Sequence, residues 1–370
     1  MKLTIDRNAL MRALSHVQAV VERRNTIPIL ANILMQAEGD RLILTATDLD
    51  IEATDAAEAK VKKAGSVTAP AQTLFDVVRK LPDGAEISLE LAEGRLSIAA
   101  GRSKFALPTL PASDFQTMAR EEAPTKFDME AAELRRLIDK TKFAISTEET
   151  RYYLNGIYLH HAKGAAGPVL RAVATDGHRL ALAEVAAPKG SASLKGVIVP
   201  RKAVAEARRL LDGAPETVTL EVSDSKITFR IGEATLTSKL IDGSFPDYQR
   251  VIPKDNTRLL VVDTKDFAAA VDRVATVSAE RSRSVKLSLS AGKLMLAVSH
   301  SETGSGAEEV EAAYDSEAME IGFNAKYLLD VTQQIESDET RIEFNDAASP
   351  ARVLDAKDPG AQYVLMPLRV

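Results

Sequence analysis

Three stretches of this 370-residue chain read as copies of one another. Residues 2–14, 126–138 and 259–271 each give a short strand, a polar helix start, and then apolar residues at helical spacing. Leu134, Leu137, Ile138 and Thr141 follow an i, i+3, i+4, i+7 pattern, and Phe267, Val271 and Val274 lie on a similar face. A second block recurs at 67–81, 197–211 and 321–335. Pro70 and Pro200 stand where a strand gives way to a helix, a position that tolerates the missing N–H. Alternating strand patterns at 41–46, 169–174 and 293–298 lie between the two helices of each copy. Further strands at 86–91 with 95–100, and at 217–222 with 226–231, follow the second helix. Turn-rich seams at 110–115 and 241–248 close the first two copies. The expected fold is α+β: three tandem repeats of a two-helix-on-sheet domain, over 1–120, 126–250 and 256–370.

Charge distribution narrows the function. The chain carries 47 Lys+Arg against 53 Asp+Glu, a net −6. The six expected helix windows (7–24, 71–80, 129–142, 200–212, 265–274 and 324–336) sum to +6, leaving −12 for everything else. Solvated helix faces with ordinary sign scatter would give this, as would a flat nucleic-acid surface or a helix-lined cavity with acidic sheets outside. Arg23 with Arg24, Arg208 with Arg209, and Arg281 with Arg283 suit phosphate contact without sequence reading. No aromatic-interleaved platform for single strands is present.

Chemistry is poorly represented. There is no Cys, which removes disulfides, thiolate metal sites and a cysteine nucleophile, and fits a reducing cytoplasm. The N-terminus has no apolar signal core, and no run approaches a membrane span. Asp176 near His178 could be an acid–base pair, but its first-repeat counterpart, Thr47 with Asp48, has no histidine, which favours a turn element. Asp48 and Asp50 lack an evident third metal ligand. No phosphate-loop motif occurs. Gly304 and Gly306 read as a flexible loop, and His160 with His161 as a solvent-facing loop pair. The C-terminus is apolar nearly to its end. Its first half reads as a core strand, and Met366, Pro367 and Leu368 as a wall for an apolar peptide.

Eight strings, in order, carry a resemblance. They are TIPIL at 26–30, FAIST at 143–147, RYYLNG at 151–156, ATDGHRL at 174–180, IVPRK at 198–202, FPDY at 245–248, MEIGF at 319–323 and MPLR at 366–369. Together they resemble the bacterial DNA polymerase III beta subunits, the beta sliding clamps, over essentially the whole chain. The resemblance implies a head-to-tail homodimer that closes six domains into a ring around duplex DNA, with helices lining the hole and sheets outside. It implies a non-catalytic processivity factor of the polymerase holoenzyme, without cofactor or metal. Partners would be DNA of any sequence, the polymerase, the clamp loader and repair proteins.

By the same resemblance, Arg24, Arg151, Tyr152, Tyr153 and Lys202 align with positions that touch DNA. A pocket for a glutamine-led apolar peptide would comprise Leu154, Thr175, Gly177, His178, Arg179, Leu180, Pro246, Arg250, Val251, Val364, Met366, Pro367, Leu368 and Arg369. Core packing is the competing reading for Leu180 and Val251. At the dimer contact, Phe105 and Leu107 match an apolar pair flanked by Arg102 and Lys104. Thr276 and Val277 fall opposite, where the family commonly has larger aliphatics. A three-repeat protein-interaction scaffold that never encircles DNA is the alternative.

Overall fold

A computed structural model describes residues 1–22, 26–119, 121–278 and 284–369. Arg23, Arg24, Arg281 and Arg283, singled out above, lie outside the described residues. Six α-helices occur among those described: α1 Arg7–Gln18, α2 Ala71–Lys80, α3 Ala131–Thr141, α4 Arg201–Leu210, α5 Thr264–Ala275 and α6 Ala325–Thr332. Each repeat runs strand, helix, strands, helix, strands; the first has an additional short strand, Lys60–Lys63.

The recurrent helix start has a physical cause. Asp6 caps α1 by accepting from the N–H groups of Asn8 (2.8 Å) and Ala9 (3.0 Å). Asp263, at the same repeat position, caps α5 through the N–H of Asp266 at 2.9 Å. Such caps satisfy donors that have no partner inside the helix. The periodic residues then go to the core: Leu10, Leu14 and Val17 of α1, and Phe267, Val271 and Val274 of α5, are buried. Fully burying each such side chain stabilises the fold by about 1.5–3 kcal/mol.

The strands divide between two compact units that do not follow the repeats. The first unit holds Met1–Leu134, Pro188–Leu194 and Lys202–Leu240. Its five-stranded sheet runs Lys60–Lys63, Lys2–Asp6, Glu86–Ala92, Arg95–Ala100, Ser103–Pro108. Its eight-stranded sheet runs Thr125–Glu130, Thr217–Val222, Lys226–Ile231, Ala234–Lys239, Ile51–Glu58, Arg41–Thr47, Asn32–Glu38, Gly65–Pro70. Half of that sheet comes from each of two repeats, joined where Ala234–Lys239 pairs antiparallel with Ile51–Glu58 and Leu236 faces Ala53.

The second unit comprises Arg135–Ala187, Lys195–Arg201 and Ile241–Val370, and contains one twelve-stranded sheet. Its order is Val197–Pro200, Gly156–Lys163, Pro168–Thr175, Arg179–Ala186, Ala361–Leu365, Ala351–Asp355, Glu339–Phe344, Arg258–Asp263, Gly304–Ala313, Lys293–His300, Ser284–Ser290, Met319–Asn324. The second repeat boundary lies where Arg179–Ala186 pairs with Ala361–Leu365, placing Ala181 opposite Tyr363. Hairpin registers make Leu236 and Tyr363 equivalent, and likewise Ala53 and Ala181. Both junctions therefore have the same register.

Two expectations need correction. Gly304 and Gly306 are not a flexible loop: they open the strand Gly304–Ala313, paired with His300 and Val298. A Cβ at Gly306 would press on Val277 Cγ2 at 3.3 Å. His160 and His161 are not in a loop either. They sit in Gly156–Lys163, opposite Arg171 and Leu170, where His160 is half-buried. Two adjacent polar rings broke the alternation that marks a strand in sequence.

Candidate functional site

The Thr-Asp element noted at 47 and 175 is a turn built the same way twice. Thr175 Oγ1 donates to the Arg179 carbonyl at 2.6 Å, and Thr47 Oγ1 to the Ile51 carbonyl at 2.9 Å. Asp176 Oδ1 accepts from the N–H groups of His178 (2.9 Å) and Arg179 (3.0 Å). Asp48 Oδ1 does the same for Asp50 and Ile51. Both carboxylates are occupied holding backbone, so an acid–base role is not what the geometry serves. The third turn residue needs positive φ: Gly177 has +89°, and its counterpart Leu49 takes +78° with the strain that entails for a side chain. A Cβ at Gly177 would also collide with Arg151 Nη1.

Around the second turn lies an apolar cluster. Val173, Leu180, Leu182, Tyr248 and Val364 pack together, with Tyr158, Phe245 and Ile252 against them. Leu180 pairs with Val364 across the junction. Both are buried, so core packing is part of their role. The chain then leaves the sheet. Met366 N–H donates to the His178 carbonyl at 2.9 Å, and Leu368 N–H to the Gly322 carbonyl at 2.8 Å. The tail Met366–Arg369 is thereby held beside the turn, with Met366 40% exposed. Val251, 47% exposed, follows the buried Tyr248. Arg250 is exposed and ion-paired with Asp247 (2.8 Å), and Pro246 is exposed. Leu154 is buried, and its carbonyl accepts from Ser146 N–H.

Arg179 is the anchor of this region. Only 7% exposed, its guanidinium bonds Asp176 (3.1 Å), Asp330 (2.5 Å) and the Phe143 carbonyl (2.6 Å). It also lies over the rings of Tyr327 (4.3 Å) and Phe143 (5.1 Å). Phe143, Tyr327 and Asp330 were not identified from sequence; they lie up to 151 positions from Arg179. The motif FAIST carried one of them, without a role.

The first junction repeats this geometry with different chemistry. Register equivalents of Val173, Leu180, Leu182 and Val364 are Thr45, Glu52, Thr54 and Thr237. There the sheet face lines a cavity of about 580 Å³, together with Thr117, Met118 and Glu121 of the following linker. Seating an apolar side chain on that face would bury hydroxyls and a carboxylate away from water, which is unfavourable without new partners. The fold offers the junction twice, and the sequence makes only the second one apolar.

The two described cations expected to touch DNA, Arg151 and Lys202, are already paired. Arg151 bonds Glu148 at 2.7 Å, and that bond holds its pKa above the ordinary arginine value. Lys202 is ion-paired with Glu22 (3.2 Å) and with Asp48. Burial works against its charge, but the two carboxylates outweigh burial and raise its pKa. Tyr152 is 54% exposed and meets Tyr153 edge-on at 5.8 Å. Among the residues expected at a dimer contact, Phe105 is 41% exposed on the edge strand Ser103–Pro108, whereas Leu107 is buried. Arg102 and Lys104 are exposed. Thr276 follows α5 and bonds the Asp272 carbonyl; the Val277 carbonyl accepts from Thr303 Oγ1 at 2.6 Å.

The chain repeats one two-helix domain three times, continues a sheet across each of the two internal boundaries and packs an apolar cluster at the second. Three domain families match it in order: the DNA polymerase III beta subunit N-terminal domain over residues 1–119, the central domain over 128–247 and the C-terminal domain over 249–369. The Beta sliding clamp of Caulobacter vibrioides is 59% identical over 372 residues, covering all of both chains. Among solved structures, the Caulobacter crescentus sliding clamp matches with a TM-score of 0.95 at 59% identity over all of both chains. The sliding clamp from Bartonella birtlesii, bound to griselimycin, matches with a TM-score of 0.98 at 48% identity, again over all of both chains. The chain belongs to the DNA polymerase III beta subunit family, the non-catalytic sliding clamps that encircle DNA as homodimers and tether the replicative polymerase.

Proposed function

We propose that the chain performs this task with the repeats 1–120, 126–250 and 256–370 as its units, closed into a six-repeat ring by a third junction of the same kind. The carrying observation is register. Phe105 is the first-repeat equivalent of Leu236 and Tyr363, which are fully buried at the two internal junctions. Gly306 is the third-repeat equivalent of Ala53 and Ala181, and residues 304–311 have no strand partner on their second side among the described residues. Two copies related head to tail would pair these edges, setting Phe105 against Gly306 and Val277, Lys104 opposite Ala307, and Arg102 opposite Glu309. Glycine opposite Phe105 makes room for the ring, which offsets the small Thr276 and Val277. The contact is heterologous and closes after two copies.

The basic helix windows then face DNA in the hole, with Arg24, Arg151, Tyr152, Tyr153 and Lys202 as contacts. Because Arg151 and Lys202 keep carboxylate partners, phosphates must compete for them. Each contact is weak and exchangeable, as sliding requires. The cleft around Leu180, Val364, Met366 and Val251, with Gly177, His178, Pro367, Leu368 and Arg369 at its rim, takes a glutamine-led apolar segment of the polymerase, clamp loader and repair proteins. Griselimycin is expected in the same cleft. The absence of cysteine supports the cytoplasm as its compartment.

The cysteine-free chain allows a direct test of the third junction. Directly opposed antiparallel residues have Cα atoms about 4.5–5.5 Å apart, within disulfide range. Lys104→Cys combined with Ala307→Cys should give a covalently closed two-chain ring on mild oxidation, while either single variant stays uncrosslinked. If the paired variant remains a single chain on denaturing gels, the register is wrong.

A further inference from the structure

A polar cluster joins the buried Tyr248 to the strands beneath it. Tyr248, within the 245–252 segment, is buried, and its hydroxyl lies 3.0 Å from His160 Nε2 and 2.9 Å from Arg171 Nη1. Arg171 is itself fixed by Glu184 Oε2 through Nε (2.9 Å) and Nη2 (2.6 Å). His160 Nδ1 lies 3.1 Å from the His161 carbonyl. A carbonyl can only accept, so Nδ1 carries the proton and neutral His160 presents a bare Nε2. Tyr248 O–H therefore donates to His160, and the tyrosine oxygen accepts from Arg171. The direction of each hydrogen bond from His161 through His160 and Tyr248 to Arg171 is thereby set. Tyr158 stacks on His160 (4.6 Å) and on Phe245 (4.9 Å), so the same ring group also supports the start of the segment.

We propose that His160 and Arg171, acting through Tyr248, position the 245–252 wall of the peptide cleft, and that protonation of His160 releases that wall and weakens partner binding. The proposal rests on the cleft being the peptide site. A protonated Nε2 becomes a donor aimed at a hydroxyl that already accepts from Arg171, and the tyrosine proton loses its acceptor. A second cation also arrives beside Arg171. The groups facing His160 are Arg171 and Tyr248, with Glu184 behind Arg171, and Tyr158 and His161 on its own strand. The strand on the other side, Val197–Pro200, contributes no titratable side chain. Burial pushes the His160 pKa below its ordinary value, with Arg171 and His161 adding to that, against the bond to the His161 carbonyl. The neutral, wall-holding form therefore persists through neutral pH and is lost as pH falls through the lowered pKa.

The test is a binding titration of the full-length chain with a fluorescent peptide carrying a glutamine-led apolar motif, at about pH 7.5 and about pH 5.5. His178 sits exposed at the cleft, so the readout is a difference between variants. The ratio of the two dissociation constants should be roughly fivefold larger in the natural chain than in His160→Gln, whose side chain can still accept but cannot charge. Tyr248→Phe, which uncouples His160 from the wall, should lower the ratio to the same level. A purely structural role would weaken binding equally at both pH values and leave the ratio unchanged. Equal ratios in all three proteins overturn the proposal while leaving the cleft in place. No binding by the natural chain at the higher pH means that the cleft reading itself has failed, and the proposal with it.

Discussion

Phe105→Asp should convert the dimer into a folded single chain. Phe105 is 41% exposed on an edge strand, so aspartate there meets water in the free chain and leaves its core intact. In the proposed junction the same position is covered by Gly306 and Val277. Glu308, two residues from Gly306 on the same strand, is already paired with Arg273 at 3.0 and 2.5 Å. The introduced carboxylate would be buried without a partner and next to Glu308. Lost apolar burial and unpaired charge together should cost about 4 kcal/mol per junction, or roughly a thousandfold in the dissociation constant. A ring has two such junctions, so the effect on closure is larger still. Sedimentation at micromolar concentration should show one chain, and circular dichroism a native fold. A stable dimer would place the contact elsewhere.

Arg179→Ala should be the most damaging single change near the cleft. It removes the cation that Asp176 and Asp330 share, the donor to the Phe143 carbonyl and the stacking surface of Tyr327. Breaking a buried ion pair by deleting one partner costs about 3–5 kcal/mol; partial solvent access of the two carboxylates brings the expected loss to about 2–4 kcal/mol. The turn that presents Gly177 and His178 loses its tether, and peptide affinity should fall at least about tenfold, since about 1.4 kcal/mol is a factor of ten. Denaturant unfolding and peptide titration check the two effects separately. Wild-type values in both would mean that Arg179 is a bystander.

Much of the fold was legible because repetition turned weak local signals into a strong one. The periodic positions of α3 and α5, and the strands after the second helix of the first two repeats, appear where the sequence places them. Two features were hidden for physical reasons. His160 and Gly304 belong to strands whose alternation is interrupted, by a polar ring held in a hydrogen-bond network and by glycines opening an edge. The anchoring of Arg179 by Asp330 and Phe143, and the tie of Tyr248 to Arg171, depend on groups brought together by the sheet, and no local pattern encodes them. The contrast between the two junctions was present in the sequence, as threonine and glutamate against valine and leucine. It became readable only once the strand registers showed which residues are equivalent.

Encirclement is a topological link, and retention on DNA measures it most directly. The chain would be loaded onto nicked circular duplex with a clamp loader and ATP, then followed before and after the circle is cut. Retention on intact circles, with loss by sliding off the ends once the DNA is linear, is the expected result. Equal retention on circular and linear DNA would mean binding by surface contact, and would contradict the encircling ring.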